Sequence, residues 1–467
     1  MSKNGYMKPF VKDNNENEYR NSGFNDNDDY SHIETDKPEK KNKITALNIT
    51  NNKNKKAKDY TSSEFITLNE FICIINILAS TLGGGAFVYP YIIYQIGIIS
   101  SLLILIFVSI TVYYSLDLLR RFVVDSKLFS FSVITQKIGN IWIKIYTITS
   151  FLFYMSCIVN YISFLYTYMG GMLHFLKDGW GKYLYFLISC TIEIFLCLFT
   201  NKISILHFLS LIVVIIFIII IIVLIVNSII DFKSGEFKSF TLFNINDKNH
   251  NKSNWNSFLF IMSKIIEIFY GFIYHSSFPT LLSGLDNKDN KTTNKVHIIS
   301  YSLLIIIYIL FALFGCSFYD EHSDLLFEKD INISINYLKY IIKSILALLF
   351  ITLIPIRYII IRDNYTSLIG REILPLIYEI LITSICLIIN NLIVCFTGDS
   401  ENFINQLMHY FGGALGVFIS FILPLISYIV IHSATKLRAI IGYIIASIFI
   451  IIGFFSIFYN FQPKNKE

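Results

Sequence analysis

The chain has 467 residues, 54% of them hydrophobic and only 15% charged, with a formal net charge of +5. So apolar a composition excludes an ordinary soluble domain. The lysines and arginines sit at the edges of apolar runs, so the positive balance gives no reason to expect nucleic acid as a partner.

Residues 1–66 differ from everything that follows. MSKNGYMKPFVKDNNENEYRNSGFNDNDDY is rich in Asn and charge and almost without aliphatic side chains. Such a segment buries too little apolar area to offset its ordering entropy, and disorder is expected. It also lacks the apolar core of a signal peptide. Between Lys37 and Lys58, eight lysines stand against one glutamate, just ahead of the first apolar run. The plain reading is an Asn/Lys-rich tail. The functional reading is a cytoplasmic basic segment attracted to anionic membrane lipid, at about 1 kcal/mol per lysine near the surface. Both place the N-terminus in the cytoplasm.

From Phe71 to Leu116 the chain runs 46 residues without Asp, Glu, Lys or Arg. As helix that run would measure roughly 69 Å, about twice a hydrocarbon core of roughly 30 Å, so it must cross, turn and cross back. Dividing the chain at charges and helix breakers gives eleven expected crossings: 71–94, 97–116, 142–168, 183–200, 204–228, 257–283, 298–318, 336–358, 374–396, 406–431 and 439–459. The expected fold class is an all-α polytopic membrane protein. Its transmembrane domain covers 67–460, with a short tail at 461–467.

Orientation follows from the basic residues. With the N-terminus inside, Arg120, Arg121, Lys127, Lys137, Lys202, Lys288, Lys291, Lys295, Arg362, Arg371, Lys436 and Arg438 all fall in cytoplasmic connections. The other side receives the acidic stretches Asp320 to Asp330 and Gly398 to Glu401, the sequons at Asn251 and Asn332, and the C-terminus. Seven cysteines (73, 157, 190, 197, 316, 386 and 395) lie in or beside apolar runs without a CxxC pair. No disulfide, metal site or cofactor is expected from them.

Within the first crossing stands TLGGGAFVYPYII, three glycines and a proline where a helix should be uninterrupted. Non-helical backbone at membrane depth is tolerated only where protein or water satisfies the freed groups. Glycine lets that backbone approach a ligand, and the half-helix ends offer N–H groups to an anion and C=O groups to a cation. A zwitterion suits such a site. A glycine seam for helix packing is the plain alternative, but such seams usually space small residues by four. The sixth crossing repeats the interruption in SKIIEIFYGFIYHSSFPTLLSGLDNK, with Gly271 and Pro279 eight apart where Gly83 and Pro90 are seven apart. Two interrupted helices, each heading five crossings, point to a transporter built as an inverted repeat.

These residues resemble the amino acid/auxin permease family, within the amino acid–polyamine–organocation superfamily, and look closest to its neutral and vacuolar amino acid transporters. NILASTLGGGAFVYPYIIYQIG (Asn76 to Gly97), FIYHSSFPTLL, FSFSVITQKIGN and GGALGVFISFILPLISYI (Gly412 to Ile429) carry the likeness, with Pro355 and Arg362 at the spacing found at the end of the eighth crossing. It extends over roughly residues 70–460. The resemblance implies eleven helices, a five-plus-five inverted repeat and an amino acid held between the broken first and sixth helices. Carried over, Ser80, Thr81, Gly83, Gly84, Gly85 and Ala86 would meet the substrate's main-chain groups, and Phe272, Tyr274, His275 and Ser276 would line the other side. There are departures. Sodium-coupled relatives have a second Asn where this chain has Ala79, the expected Leu-Pro is Phe199-Thr200, and Arg357 is extra.

Ionisable residues inside crossings are functional candidates. Glu193, Lys264, Glu267, Lys339, Lys343, Glu379 and His409 mostly stand within two turns of a span end, where snorkelling is the plain reading. Lys264 and Glu267, three apart, have the spacing of a helix ion pair. His275 adjoins the second break, where a proton-sensitive role and a buried structural one are equally open. A membrane-embedded enzyme is the weaker alternative, since the GxSxG and HExxH of embedded proteases and the Cys/His-rich loop of a palmitoyl-transferring enzyme are all absent. A nutrient receptor on a transporter frame is not separated from a transporter by sequence. The resulting expectation is a secondary amino acid transporter of the plasma or vacuolar membrane, sodium-independent and either proton-linked or facilitative.

Overall fold

The structure is a computed structural model that describes residues 66–173, 179–199, 203–234, 242, 254–316, 336–369, 375–397, 406–432 and 436–461. The basic stretch Lys37 to Lys58, both sequons and the acidic connections at 320–330 and 398–401 lie outside the described residues. Every regular element among the described residues is helical.

Helix α1 (Leu68–Thr81) starts at a capping box: the Thr67 side chain accepts from the Glu70 amide, and the Glu70 carboxylate accepts from the Thr67 amide at 2.9 Å. A short 3₁₀ turn (Gly84–Phe87) leads into α2 (Val88–Ile96), and the two halves are bent by 59°. Gly97 alone joins α2 to α3 (Ile98–Ser126), at a φ of 86° that glycine adopts without strain. A short α4 (Phe131–Ile138) leads to α5 (Asn140–Met172), followed by α6 (Trp180–Phe199) and α7 (Ile203–Ser234).

The second interrupted element comprises α8 (Asn254–Tyr270) and α9 (Phe278–Leu282). Then come α10 (Asn290–Gly315), α11 (Asn336–Ile369) and α12 (Leu376–Thr397). Two π-helical stretches, Met408–Gly416 and Phe418–Ile422, run into α13 (Leu423–Ile431), and α14 (Leu437–Phe461) closes the chain.

Among the described residues nine helices are long and apolar enough to cross a membrane, and the bent α1–α2 pair makes a tenth. The expected sixth crossing, 257–283, holds α8, which is short of that length at 17 residues, and its five-residue continuation α9. The likeliest breakers of the pattern therefore divide crossings rather than separate them. Pro90 and Pro279 both stand in the first turn of a downstream half-helix, where a missing N–H costs no hydrogen bond.

Several ionisable residues assigned to span ends prove to be inside the bundle. Glu193, Lys264, Glu267, Lys343, Glu379 and His409 are buried, because their positions face neighbouring helices rather than the membrane edge. Lys339's side chain is outside the described residues. Lys264 and Glu267 do pair, with Nζ 2.7 and 3.0 Å from the two carboxylate oxygens. His409 adds its Nε2 at 3.2 Å from Glu267 and its Nδ1 at 2.9 Å from the Ser456 hydroxyl. The network ties α8 to the π-helical element and to α14. Close backbone contact supports it, since a Cβ on Gly453 would fall 2.4 Å from the Gly413 carbonyl oxygen.

Removing one member of such a pair leaves the other charge buried alone. Glu267→Gln is expected to cost about 3–5 kcal/mol, and adding Lys264→Met should recover much of the loss. Thermal unfolding of the purified protein in detergent checks this; an unchanged melting temperature for Glu267→Gln would count against a structural ion pair.

Candidate functional site

The first break is satisfied largely by its own side chains. The Ser80 and Thr81 hydroxyls each donate to the Ile77 carbonyl at 2.8 Å, and the Leu82 amide closes α1 on Leu78 at 2.8 Å. With their protons so placed, both hydroxyls retain acceptor lone pairs. Beyond them the chain is extended at Gly83 and turns at Gly84–Phe87. All three glycines are packed against neighbours. A Cβ on Gly83 would lie 2.3 Å from the Tyr161 hydroxyl oxygen, one on Gly84 2.9 Å from the Phe164 ring, and one on Gly85 2.5 Å from Gly271 Cα.

That last contact joins the two breaks: the interrupted helices meet backbone to backbone at Gly85 and Gly271. Around the second break the amides of Gly271, Phe272 and Ile273 turn back three residues, to Ile268, Phe269 and Tyr270. The Gly271 carbonyl is then left for Tyr308 of α10. Tyr308 Oη lies 2.7 Å from it and 3.1 Å from the Thr81 carbonyl, so one phenol serves the carbonyls of both broken helices. Tyr89 supplies a further clasp, donating to Ile268 O at 3.0 Å.

Beside the breaks lies a small, partly open cavity with a volume of about 60 Å³. Ser80 and Ser276 reach it from the two broken helices, Asn76 and Ser210 lie along its wall, and Ser130 and Asp363 stand toward one face of the bundle. Asn76 is fixed there by a 2.8 Å contact to His207 Nδ1, and Asn364 by a 2.6 Å bond to the Ser150 hydroxyl. C-terminal to the first break, rings pack together. Phe87 packs on Phe164, Phe217, Phe311 and Phe350 with centroids 5.1–6.0 Å apart, and Phe164 stacks on Phe350 at 4.8 Å.

Of the ten residues singled out by sequence, Ser80 and Ser276 line this cavity. Thr81, Gly83, Gly84, Gly85 and Ala86 form the adjoining break and are buried. Phe272 is enclosed by Tyr89 and Tyr308, and Tyr274 by Phe278. His275 is fully buried, with neither ring nitrogen in a hydrogen bond among the described residues. Sequence reasoning missed Tyr308, Tyr161 and the polar wall at Asn76, Ser130, Asp363 and Asn364. Asn76 carried a signal, being an amide inside an uncharged run. A tyrosine among thirty carried none.

Among solved structures, the chain is similar to a manganese transporter of Eremococcus coleocola, crystallised with an aromatic bis-isothiourea substituted compound. The match has a TM-score of 0.56 at 15% identity and covers 85% of this chain and 88% of that one. At that identity the likeness concerns the fold. No curated protein sequence matches. The family model described as transmembrane amino acid transporter protein matches residues 69–462. This is nearly the whole helical domain, both breaks included, and the chain belongs to the transmembrane amino acid transporter family.

Proposed function

We propose that the protein carries amino acids across its membrane by alternating access, with the substrate held between the two broken helices. The observation that carries this reading is the meeting of two interrupted helices at Gly85 and Gly271 beside a partly open cavity that both helices line. Amides at Gly83 and Gly85, released from the helix ladder, suit a carboxylate, and the acceptor lone pairs of Ser80 and Thr81 suit an ammonium. Phe272, Tyr274, His275 and Ser276 form the opposite wall when the break opens. The two interrupted helices are counterparts in an inverted repeat, each heading five crossings.

The cavity faces the cytosol in this reading, because Ser130, Phe131 and Ser132 of its lining belong to the connection after Arg120, Arg121 and Lys127, which the basic-residue bias assigns inside. The N-terminus is then cytosolic, in a plasma or vacuolar membrane. Manganese as cargo, as in the solved structure above, is less well served. Among the described residues no three His, Cys, Asp or Glu side chains gather, and a hard cation takes several oxygen ligands. Flux of labelled amino acids into vesicles holding the purified protein separates transport from a receptor that binds without moving its ligand.

Coupling follows from Ala79, which offers no oxygen where sodium-coupled relatives place an amide. Transport is sodium-independent, and proton-linked if water reaches His275 in another conformation. Replacing sodium by choline at fixed pH should leave amino acid uptake essentially unchanged; loss of most uptake in choline would refute it. The break itself is tested by Gly84→Val, whose branched side chain meets Phe164 and Tyr161. Uptake should be abolished while the protein still reaches the membrane, and full uptake at normal abundance would remove this turn from the mechanism.

A further inference from the structure

Among the described residues, Arg357 of α11 is a buried cation without an anion beside it. It is 4% exposed, its Nε donates to the Tyr161 hydroxyl at 3.0 Å, and its Nη1 has no hydrogen-bond partner. Its other neighbours include the Cys157 thiol and the ring faces of Tyr154 and Tyr161, at 5.9 and 6.0 Å. Among the described residues no carboxylate lies within salt-bridge distance of it. Buried Arg120 and Lys264 differ in this respect, holding Asp117 and Glu267 at 2.7 Å each. A guanidinium cannot shed its proton to escape burial, and the faces of neutral phenols compensate it only in part.

Its position gives the charge a use. Tyr161 connects it to the first break, since the Tyr161 hydroxyl stands against Gly83. Having accepted the bond from Arg357, that hydroxyl still has its own proton to donate. The cavity comes up to Ser80 on one side and to Ile356, next to Arg357, on the other. A phenol proton and a free guanidinium N–H thus lie together, one side chain from the proposed substrate position. The amides of the break already suit the α-carboxylate, so this second donor pair calls for a second anionic group.

We propose that Arg357, with Tyr161, seats a side-chain carboxylate of the substrate, so that acidic amino acids are preferred and cationic ones rejected. The inference rests on the amino acid reading above. The test uses the full chain in vesicles, with labelled glutamate, leucine and lysine as probes, for the native protein, Arg357→Gln and Arg357→Lys. Native protein should take glutamate over lysine by about tenfold or more, the scale of roughly one charged hydrogen bond. Arg357→Gln should lower the glutamate-to-leucine ratio by about as much, with Arg357→Lys between the two.

A parallel measurement needs no transport: glutarate, which has two carboxylates and no amine, should raise the melting temperature of the native protein but not of Arg357→Gln. Stabilisation by glutarate without uptake of any amino acid would keep the anion site and overturn the amino acid reading. Uptake of leucine with an unchanged ratio in Arg357→Gln would overturn the anion site and keep that reading. Should the Gln variant fail to fold, Arg357→Lys decides, and a ratio equal to the native one counts against the proposal.

Discussion

Backbone carbonyls and amides released inside a membrane have to find partners within the protein, and this fold is organised around that requirement. Two helices are interrupted at one level, and their freed carbonyls converge on a single hydroxyl, Tyr308 Oη. The clip holds because the helices touch without side chains between them, at Gly85 and Gly271. A β-carbon at either position would separate the carbonyls that Tyr308 serves. The glycines are thus required first by packing between the two breaks, and only through that by access to substrate.

Packing around the two breaks is uneven, polar on one side of the first break and aromatic on the other. Toward one face lie hydroxyls, amides and Asp363 around open space. Beyond the break, Phe87 is surrounded by four other phenylalanines. N-terminal to the second break, the Lys264–Glu267–His409 network joins α8 to the π-helical element. Widened helical turns recur where helices must adjust at functional sites. Gly412 and Gly416 of that element accept Tyr270 and Ile273 from the region of the second break.

Much of the fold was legible because its signals are local. Uncharged length marks a crossing, and glycine followed by proline marks a break; both survive in a single sequence. Gly97 as a corner and the positions of Pro90 and Pro279 at half-helix starts follow the same logic. The site was less legible, because its partners are distant in the chain. Tyr308 is 227 residues from Thr81, and Tyr161 is 196 from Arg357. Neither tyrosine differs in local context from many others. Charges near span ends misled for a related reason: distance from an end says how far a side chain must reach to water, not which helix it faces. Lys264 and His409 face protein.

Removing one oxygen atom tests the clip between the two breaks most directly. Tyr308→Phe keeps the ring that packs on Phe272 and Tyr89 but deletes the donor shared by Thr81 and Gly271. Leaving buried carbonyls without that donor is expected to cost about 1–3 kcal/mol. The melting temperature of the purified protein should fall by several degrees, with uptake falling beyond what the loss of folded protein explains. Native stability together with native uptake in Tyr308→Phe would contradict the central role given to that hydroxyl.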